Sequence, residues 1–298
     1  MKFHLLINLF YDNITLGYSY LKGLRWLCLH LGLVVSSGLD PENLQGQSFY
    51  QYQKAGQWQF TAGVGITKYF GELSNEKQLG DINPHLSLAL NLPLQGRWSF
   101  RPEVSYYRIS AADADLPDGD SRKDRNLSFR SDNLELSGLL VYGLHAKDQR
   151  MKVSRLRPYV MAGLGITYFN PRALLDGSWY SLQPLYTEGI KYKKFHLVVP
   201  LGAGLAVILN EQWKLGMEIS YRLSFTDYLD DVSTNYRDPT SFPNPTAAAL
   251  ADRRPEIGLD KAPTGSPRGN SNTNDGYLFF GVKLFHQLPG TGPLRRKR

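Results

Sequence analysis

Only one cysteine, Cys28, occurs in the 298 residues of this chain. It lies in an N-terminal apolar stretch that reads as a secretory signal, so the mature chain is expected to have neither disulfide nor thiol chemistry. Long hydrophobic runs are also missing. The longest, about Leu24 to Val35, is interrupted by Arg25 and His30 and is too short to cross a bilayer as a helix. No nucleophile-elbow motif, zinc-ligand pattern or phosphate-binding loop is present. The formal charge is +7, but the basic residues are not interleaved with a recognisable binding motif, which argues against a nucleic-acid partner. No cofactor, catalytic residue or metal site is expected.

What the chain does have is alternation. Its mean hydropathy is slightly negative, as in a soluble protein, but a barrel strand turns half of its side chains to a polar lumen. From about Trp58 onward, eight segments alternate apolar and polar residues. Their connectors run long, short, long, short, long, short, long. A chain crossing a sheet back and forth then has all its long loops at one end and all its short turns at the other. This asymmetry points to an all-β fold, an eight-stranded antiparallel transmembrane outer-membrane β-barrel with short periplasmic turns and long outer loops. The 18 Tyr, 14 Phe and 5 Trp suit the aromatic girdles of such a barrel, although a soluble sandwich is aromatic-rich too.

The faces can be read strand by strand. In the first strand Trp58, Phe60, Ala62, Val64, Ile66 and Phe70 oppose Gln59, Thr61, Gly63, Gly65 and Thr67, and Lys68 falls near the end of the apolar side, within reach of the interface. At about 3.3 Å per residue this strand reaches about 40 Å, enough to cross the membrane at a tilt. The seventh sets Trp213, Leu215, Met217, Ile219 and Tyr221 against Lys214, Gly216, Glu218, Ser220 and Arg222. The fifth repeats the first, Ala162-Gly-Leu-Gly-Ile-Thr against Ala62-Gly-Val-Gly-Ile-Thr, and its inward glycines suit a narrow barrel. The sixth, Phe195 to Leu209, is apolar on both faces and its register stays open. The inward set contains Arg101, Glu103, Glu135, Glu218 and Arg222, which must pair if the lumen is dry. A lumenal salt-bridge plug is the expectation, ahead of a catalytic or proton-conducting role for these carboxylates.

The expected organisation is an N-terminal extension and signal over 1–37, a periplasmic segment over 38–57, the barrel over 58–286 and a basic tail over 287–298. The cut falls near Ser37 or Gly38. A lipoprotein reading of Cys28 conflicts with Arg25-Trp26-Leu27, which lacks the small residue a lipobox needs. Long loops fall near 71–83, 110–126, 170–194 and 226–274. The last is Pro-, Asn-, Gly- and Ser-rich in its second half and reads as mobile. Basic residues gather toward the short-turn end, notably Arg150, Lys152, Arg295, Arg296, Lys297 and Arg298. They form either a solvated rim and tail or a contact for acidic partners or lipid headgroups, and such a contact would steer and orient.

Five loop motifs carry a resemblance. They are Tyr69-Phe70-Gly71-Glu72-Leu73, Arg125-Asn126-Leu127-Ser128-Phe129, Tyr168-Phe169-Asn170-Pro171-Arg172-Ala173, Pro184-Leu185-Tyr186-Thr187-Glu188-Gly189, and Thr226-Asp227-Tyr228-Leu229-Asp230-Asp231-Val232-Ser233. In this order, over about Trp58 to Phe285, they resemble the PorG family, outer-membrane barrels of the type IX secretion system of Bacteroidota. The resemblance implies a non-enzymatic role: association with a periplasmic ring of PorK-like lipoprotein and PorN-like protein, which the barrel helps tie to the outer membrane. The N-terminal extension and the Arg/Lys-ended tail depart from that family's pattern.

Two sharper readings stand beside it. Asp227, Asp230 and Asp231 could take calcium, but their spacing is not that of an EF-hand, and a solvated or Arg-paired loop, with Arg222 or Arg237, is the expectation. His85 and Ser87 share a face at i, i+2 and could form the Ser–His pair of an outer-membrane acyl hydrolase. His196 is a second histidine near the long-loop rim. A surface-binding adhesin acting through its loops is the remaining alternative.

Overall fold

The structure, a computed structural model, describes residues 57–74, 81–144 and 155–289. The expected signal, the segment 38–56, Arg150, Lys152 and Arg295–Arg298 lie outside the described residues.

Ten strands form one antiparallel sheet. Eight of them close on themselves: β1 (Gln59–Phe70), β2 (Asn83–Pro93), β3 (Trp98–Ala112), β4 (Ser128–Gly143), β5 (Leu156–Tyr168), β8 (Phe195–Ile208), β9 (Trp213–Ser224) and β10 (Gly276–Gln287). Each pairs with its neighbour in the chain, and β1 pairs with β10 from Gln59↔Gln287 to Phe70↔Gly276. No edge of the barrel is left unpaired, which is the condition for strands to cross a bilayer. The remaining two strands, β6 (Pro171–Leu175) and β7 (Ser178–Ser181), form a hairpin added to the outer end of β4.

The alternation places the apolar side chains outside. Val64, Leu86, Leu88, Val104, Leu136, Leu140, Leu164, Ile166, Leu205, Leu215, Ile219 and Val282 are all exposed. So much bare apolar surface is incompatible with water and suits a lipid-facing band. Aromatics flank the band at both ends. Trp98 packs on Tyr142 and Trp213 on His286 beside the short turns, while Phe70 meets Tyr221 and Tyr168 meets Phe195 beside the long loops. The two girdles mark the interfaces. Lys68 stays on the outer face and pairs with Asp81 at 3.4 Å. Both ends of the barrel chain, Gln59 and Gln287, lie at the short-turn end and share a side-chain hydrogen bond of 3.0 Å.

The open register of the sixth crossing is resolved in β8. Phe195, Leu197, Leu201 and Leu205 face out, and Val198 and Ala206 face in. Apolar residues on its inward face cover part of the lumen that needs no charge partner. The turns are local. Gly96 takes a positive φ of 74° between β2 and β3, and Asn210 accepts from the Gln212 and Trp213 amides between β8 and β9.

Three expectations about the loops need correction. The strands run further than expected, since β3 and β4 stay paired to Ala112↔Ser128, carrying the sheet into the segment read as loop from Ser110. The segment 170–194 is not a plain loop: it holds the β6–β7 hairpin, turned at Asp176-Gly177, both with positive φ as a two-residue hairpin requires. The second half of 226–274, read as mobile, is folded. It contains a 3-10 turn over Arg254–Ile257 and buries Ala262 and Arg268, and it follows α1 (Pro245–Ala251), capped by the Asn244 side chain accepting from the Ala247 amide.

The inward glycines are needed where strands approach closely. A Cβ on Gly163 would strike the Gly138 carbonyl oxygen and Leu139. Gly163→Ala is expected to destabilise the barrel by about 1–3 kcal/mol through overpacking, whereas Ala162→Val on the lipid face is not. Urea-unfolding midpoints of the detergent-folded protein read the difference.

Candidate functional site: the lumenal charge network and the outer cap

Two buried polar systems lie along the barrel axis. The first fills the lumen. Arg101, Glu103, Glu135, Glu218 and Arg222 all face inward, each 4% exposed or less. A sixth charge, Lys283 on β10, joins them and is 3% exposed. Arg101 Nη1 lies 2.6 Å from Glu218 Oε2, and Lys283 Nζ lies 2.8 Å from Glu103 Oε2 and 3.5 Å from Glu218 Oε1. Arg222 Nε lies 3.3 Å from Glu135 Oε1, with Glu103 at 3.8 Å. Three cations against three carboxylates make the group neutral.

Neutral partners complete it. The Tyr159 hydroxyl donates to Glu218, the Tyr277 hydroxyl donates to Glu135, and Arg101 Nε donates to Asn91 Oδ1, at 2.8–2.9 Å. The Arg222 guanidinium also lies 4.0 Å from the Phe279 ring centre. Paired and hydrogen-bonded charges offset much of their desolvation. Side chains fill the bore, so the arrangement is a plug rather than a conduit. Lys283 escaped the sequence reading, although Tyr277, Phe279, Lys283 and Phe285 alternate with Leu278, Phe280, Val282 and Leu284, and that alternation alone puts Lys283 inside.

His85 and Ser87 lie inside the barrel on one face, buried. The Ser87 hydroxyl accepts from Lys283 Nζ at 2.6 Å, and the His85 ring stacks on Phe279 with centres 3.9 Å apart. No hydrogen bond joins the two side chains among the described residues. His196, at the start of β8, contacts the Lys193 carbonyl through Nε2.

The second system is a cap built by the long loops over the outer end of the barrel. It has its own apolar core, including Tyr69, Leu73, Leu127, Phe129, Phe169, Ala173, Leu182, Leu229, Val232 and Leu250. The stretch Thr226–Asp231 runs through its middle. Leu229 is buried, Tyr228 stacks on Tyr192, and the Thr226 hydroxyl accepts from the Tyr228 amide. Asp230 and Asp231 are each 1% exposed, so the solvated reading of this acidic run is corrected. Arg-pairing with Arg222 or Arg237 is corrected too: Arg222 stays with Glu103 and Glu135 in the lumen, and Arg237 lies against Gly189. Tyrosine and threonine hydroxyls serve instead. Tyr192 donates to Asp231 Oδ1 at 2.6 Å, Thr187 donates to Asp231 Oδ2, and the Tyr69 hydroxyl contacts Asp230 and Asp275.

The cation of the cap is Arg268, from the half of the last loop read as mobile. Its Nη1 donates to Glu188 at 2.8 Å and to the Asp231 carbonyl at 2.6 Å, and its Nε donates to the Ala251 carbonyl at 3.0 Å. Glu188 in turn accepts from the Ser233 and Thr234 amides. Arg125 bridges the Glu72 and Arg268 carbonyls and pairs with Asp113. Residues from all five family-like motifs therefore meet in this one cap.

Burial raises the proton affinity of its carboxyls. Glu72 is pushed up to about 9 by burial and by Asp230 and Asp227, and Asp230 up to about 8, mainly by burial. Asp227 rises to about 6 through burial, and Asp275 rises well above its usual range through burial and the charges of Asp230 and Glu72.

The closed eight-stranded barrel, its lipid-facing band and its two girdles make this an integral outer-membrane β-barrel protein. The chain belongs to the family described as domain of unknown function (DUF6089), which matches residues 49–242. Among solved structures it is similar to neisserial surface protein A (NspA), at 9% identity over 78% of this chain and 97% of that one, with a TM-score of 0.43. It is also similar to the outer membrane protein OprG from Pseudomonas aeruginosa, at 16% identity over 79% and 98%, TM-score 0.41. A major outer membrane protein from Thermus thermophilus matches at 13% identity over 78% and 100%, TM-score 0.39. No curated protein sequence matches.

Two outcomes follow from this geometry. Glu218→Ala leaves Arg101 and Lys283 short of a buried partner and is expected to cost about 3–5 kcal/mol, read as a urea midpoint shift well beyond that of Glu211→Ala in the exposed β8–β9 turn. In the cap, the folded carboxyls bind protons more tightly than unfolded ones near 4. The stability they contribute is therefore full below about pH 4 and is lost as pH rises through about 6 to 9. In metal-free buffer, cleavage within 225–275 by a protease active across the range is expected to be faster at pH 9 than at pH 5, after correction for protease activity.

Proposed function

We propose that this barrel is a non-enzymatic anchor of the type IX protein secretion machinery, associating with a periplasmic ring of PorK-like lipoprotein and PorN-like protein and helping hold it to the outer membrane. The observation that carries the reading is the convergence of the five motifs. Stretches that are far apart in the chain and together resemble the PorG family are joined in three dimensions through Tyr69, Arg125, Glu188 and Asp231, with Tyr192 linking Phe169 to Asp231. A set of residues that builds one shared substructure is a stronger family signature than the same residues scattered.

The filled lumen supports a role exercised through surfaces rather than through a channel. The acyl-hydrolase alternative draws less support, because Ser87 is engaged by Lys283 and not by His85. The outer end is occupied by the cap, which leaves the short-turn end for a periplasmic partner. Those turns are smaller than the roughly 800 Å² per partner of a standard interface, so the chain ends must contribute. Arg150, Lys152 and the Arg295–Arg298 tail supply the charge for an electrostatic contact that weakens with salt.

The test is co-purification through a tag inserted at Asp118, whose side chain is fully exposed in the second outer loop. From outer membranes solubilised in mild detergent at low salt, the expected result is recovery in large assemblies with an outer-membrane lipoprotein and a periplasmic protein. Reversing Arg150, Lys152 and Arg295–Arg298 to Glu is expected to reduce that recovery. A folded barrel recovered alone, repeatedly, would overturn the proposal.

A further inference from the structure

Beneath the cap, four carboxylates from three separate segments converge without a counter-ion. Glu72 follows β1, Asp227 and Asp230 follow β9, and Asp275 precedes β10. One carboxylate oxygen each from Glu72, Asp227 and Asp275 lie within 4.8 Å of one another. No Lys or Arg among the described residues forms an ion pair with any of the four. Arg268 is held by Glu188 and two carbonyls, and Arg122 and Arg125 reach the Glu72 carbonyl, not its carboxylate.

Two observations show that something is missing from the cluster. Asp227 is 8% exposed, yet neither of its buried oxygens accepts a hydrogen bond, and Glu72 Oε2 is equally unpartnered. The Ser233 hydroxyl and the Glu72 carboxyl are beside Asp227 but leave both oxygens open. An orphaned buried carboxylate is costly. Second, the Tyr69 oxygen lies 2.8 Å from Asp230 Oδ2 and 2.6 Å from Asp275 Oδ1. A hydroxyl has one proton and can donate to only one of them. The other contact needs either a proton carried by one of the two carboxyls or a cation beside the oxygens.

The outer oxygens are already held by backbone amides. Asn270 donates to Glu72 Oε1, Val232 to Asp230 Oδ1, and Leu229 to Asp275 Oδ2. These bonds hold three of the carboxylates by one oxygen each and leave Glu72 Oε2 and both Asp227 oxygens free, as the second shell of a metal site does.

We propose that Glu72, Asp227 and Asp275, with Asp230 beside them, bind one divalent cation of the calcium class. The donors are all hard oxygens, as calcium prefers. Oxygens within 4.8 Å of one another are close enough to share one such ion, and a set made only of carboxylates suits calcium, which accepts flexible all-oxygen coordination, better than magnesium, which demands a near-ideal octahedron and keeps several waters. A bound ion would tie the first outer loop to both ends of the last and lock the cap.

The test uses the full barrel folded in detergent, stripped with EDTA and titrated calorimetrically with CaCl2 and, separately, MgCl2. The expected result is one saturable calcium site per chain, weaker magnesium binding and a calcium-dependent rise in Tm. Asp227→Asn and Glu72→Gln, each verified as folded by heat-modifiable migration, are expected to weaken calcium binding by about tenfold or more. Asp118→Asn, in an exposed loop, is expected to leave it unchanged. Glu72→Gln decides the matter if Asp227→Asn fails to fold. No saturable calcium binding in the wild type, or wild-type affinity in the folded variants, overturns the proposal. Magnesium binding as tight as calcium overturns the choice of ion.

Discussion

The dry interior of a narrow barrel is the constraint on which the rest of this structure depends. Eight strands leave a bore that side chains fill, and any charge on the inward face loses its water. Here three cations and three carboxylates come together from the inward faces of β3, β4, β9 and β10, and the pairing register decides whether they meet. A slip of one residue would turn the whole charged set out to lipid and the leucines into the lumen. Register, charge balance and membrane insertion are therefore one requirement.

The cap solves the same desolvation problem with different chemistry. In the lumen each carboxylate faces a guanidinium or ammonium. In the cap, Glu188 pairs with Arg268 and Asp113 with Arg125, while Asp231 relies on hydroxyls from Tyr192 and Thr187. Glu72, Asp227, Asp230 and Asp275 are left with a surplus of negative charge. That surplus needs protons or a metal ion, so the stability of the cap responds to pH. The aromatic residues Tyr69, Tyr107, Tyr277 and Phe279 form the join between the two systems: Tyr107 stacks on Tyr277, Phe279 packs edge-on or tilted against both, with ring centres 4.6–5.4 Å apart, and Tyr69 reaches from β1 to Asp230 and Asp275.

How much of this was legible in the sequence follows from the range of each interaction. The strands were readable because period-two alternation is local, and Arg101, Glu103, Glu135, Glu218 and Arg222 could be placed inward from it. Lys283 is equally placeable, from the alternation of β10. The β6–β7 hairpin also had a local signal, Asp176-Gly177 between short strand-like runs, hidden by a neighbourhood rich in loop formers. The cap was not readable. Tyr69 meets Asp275 across 206 residues and Arg268 meets Glu188 across 80, and no periodicity encodes such pairs. Composition even points the wrong way, since the Pro-, Asn- and Gly-rich stretch that looks mobile supplies the buried Arg268 and Ala262.

A barrel with a filled bore and a folded cap has few ways left to act. Transport through the lumen would require breaking buried ion pairs on several strands at once, and nothing in the network provides a second arrangement for them. Capture by floppy outer loops fits poorly with loops that share an apolar core. The surfaces that remain are the lipid-facing band, the outside of the cap and the short-turn end with the chain ends beside it. A rigid, plugged cylinder is well suited to being a fixed point in the membrane, because force applied at its periplasmic end is borne by a closed hydrogen-bonded ladder rather than by one helix. That mechanical fitness is what the proposed anchoring role draws on.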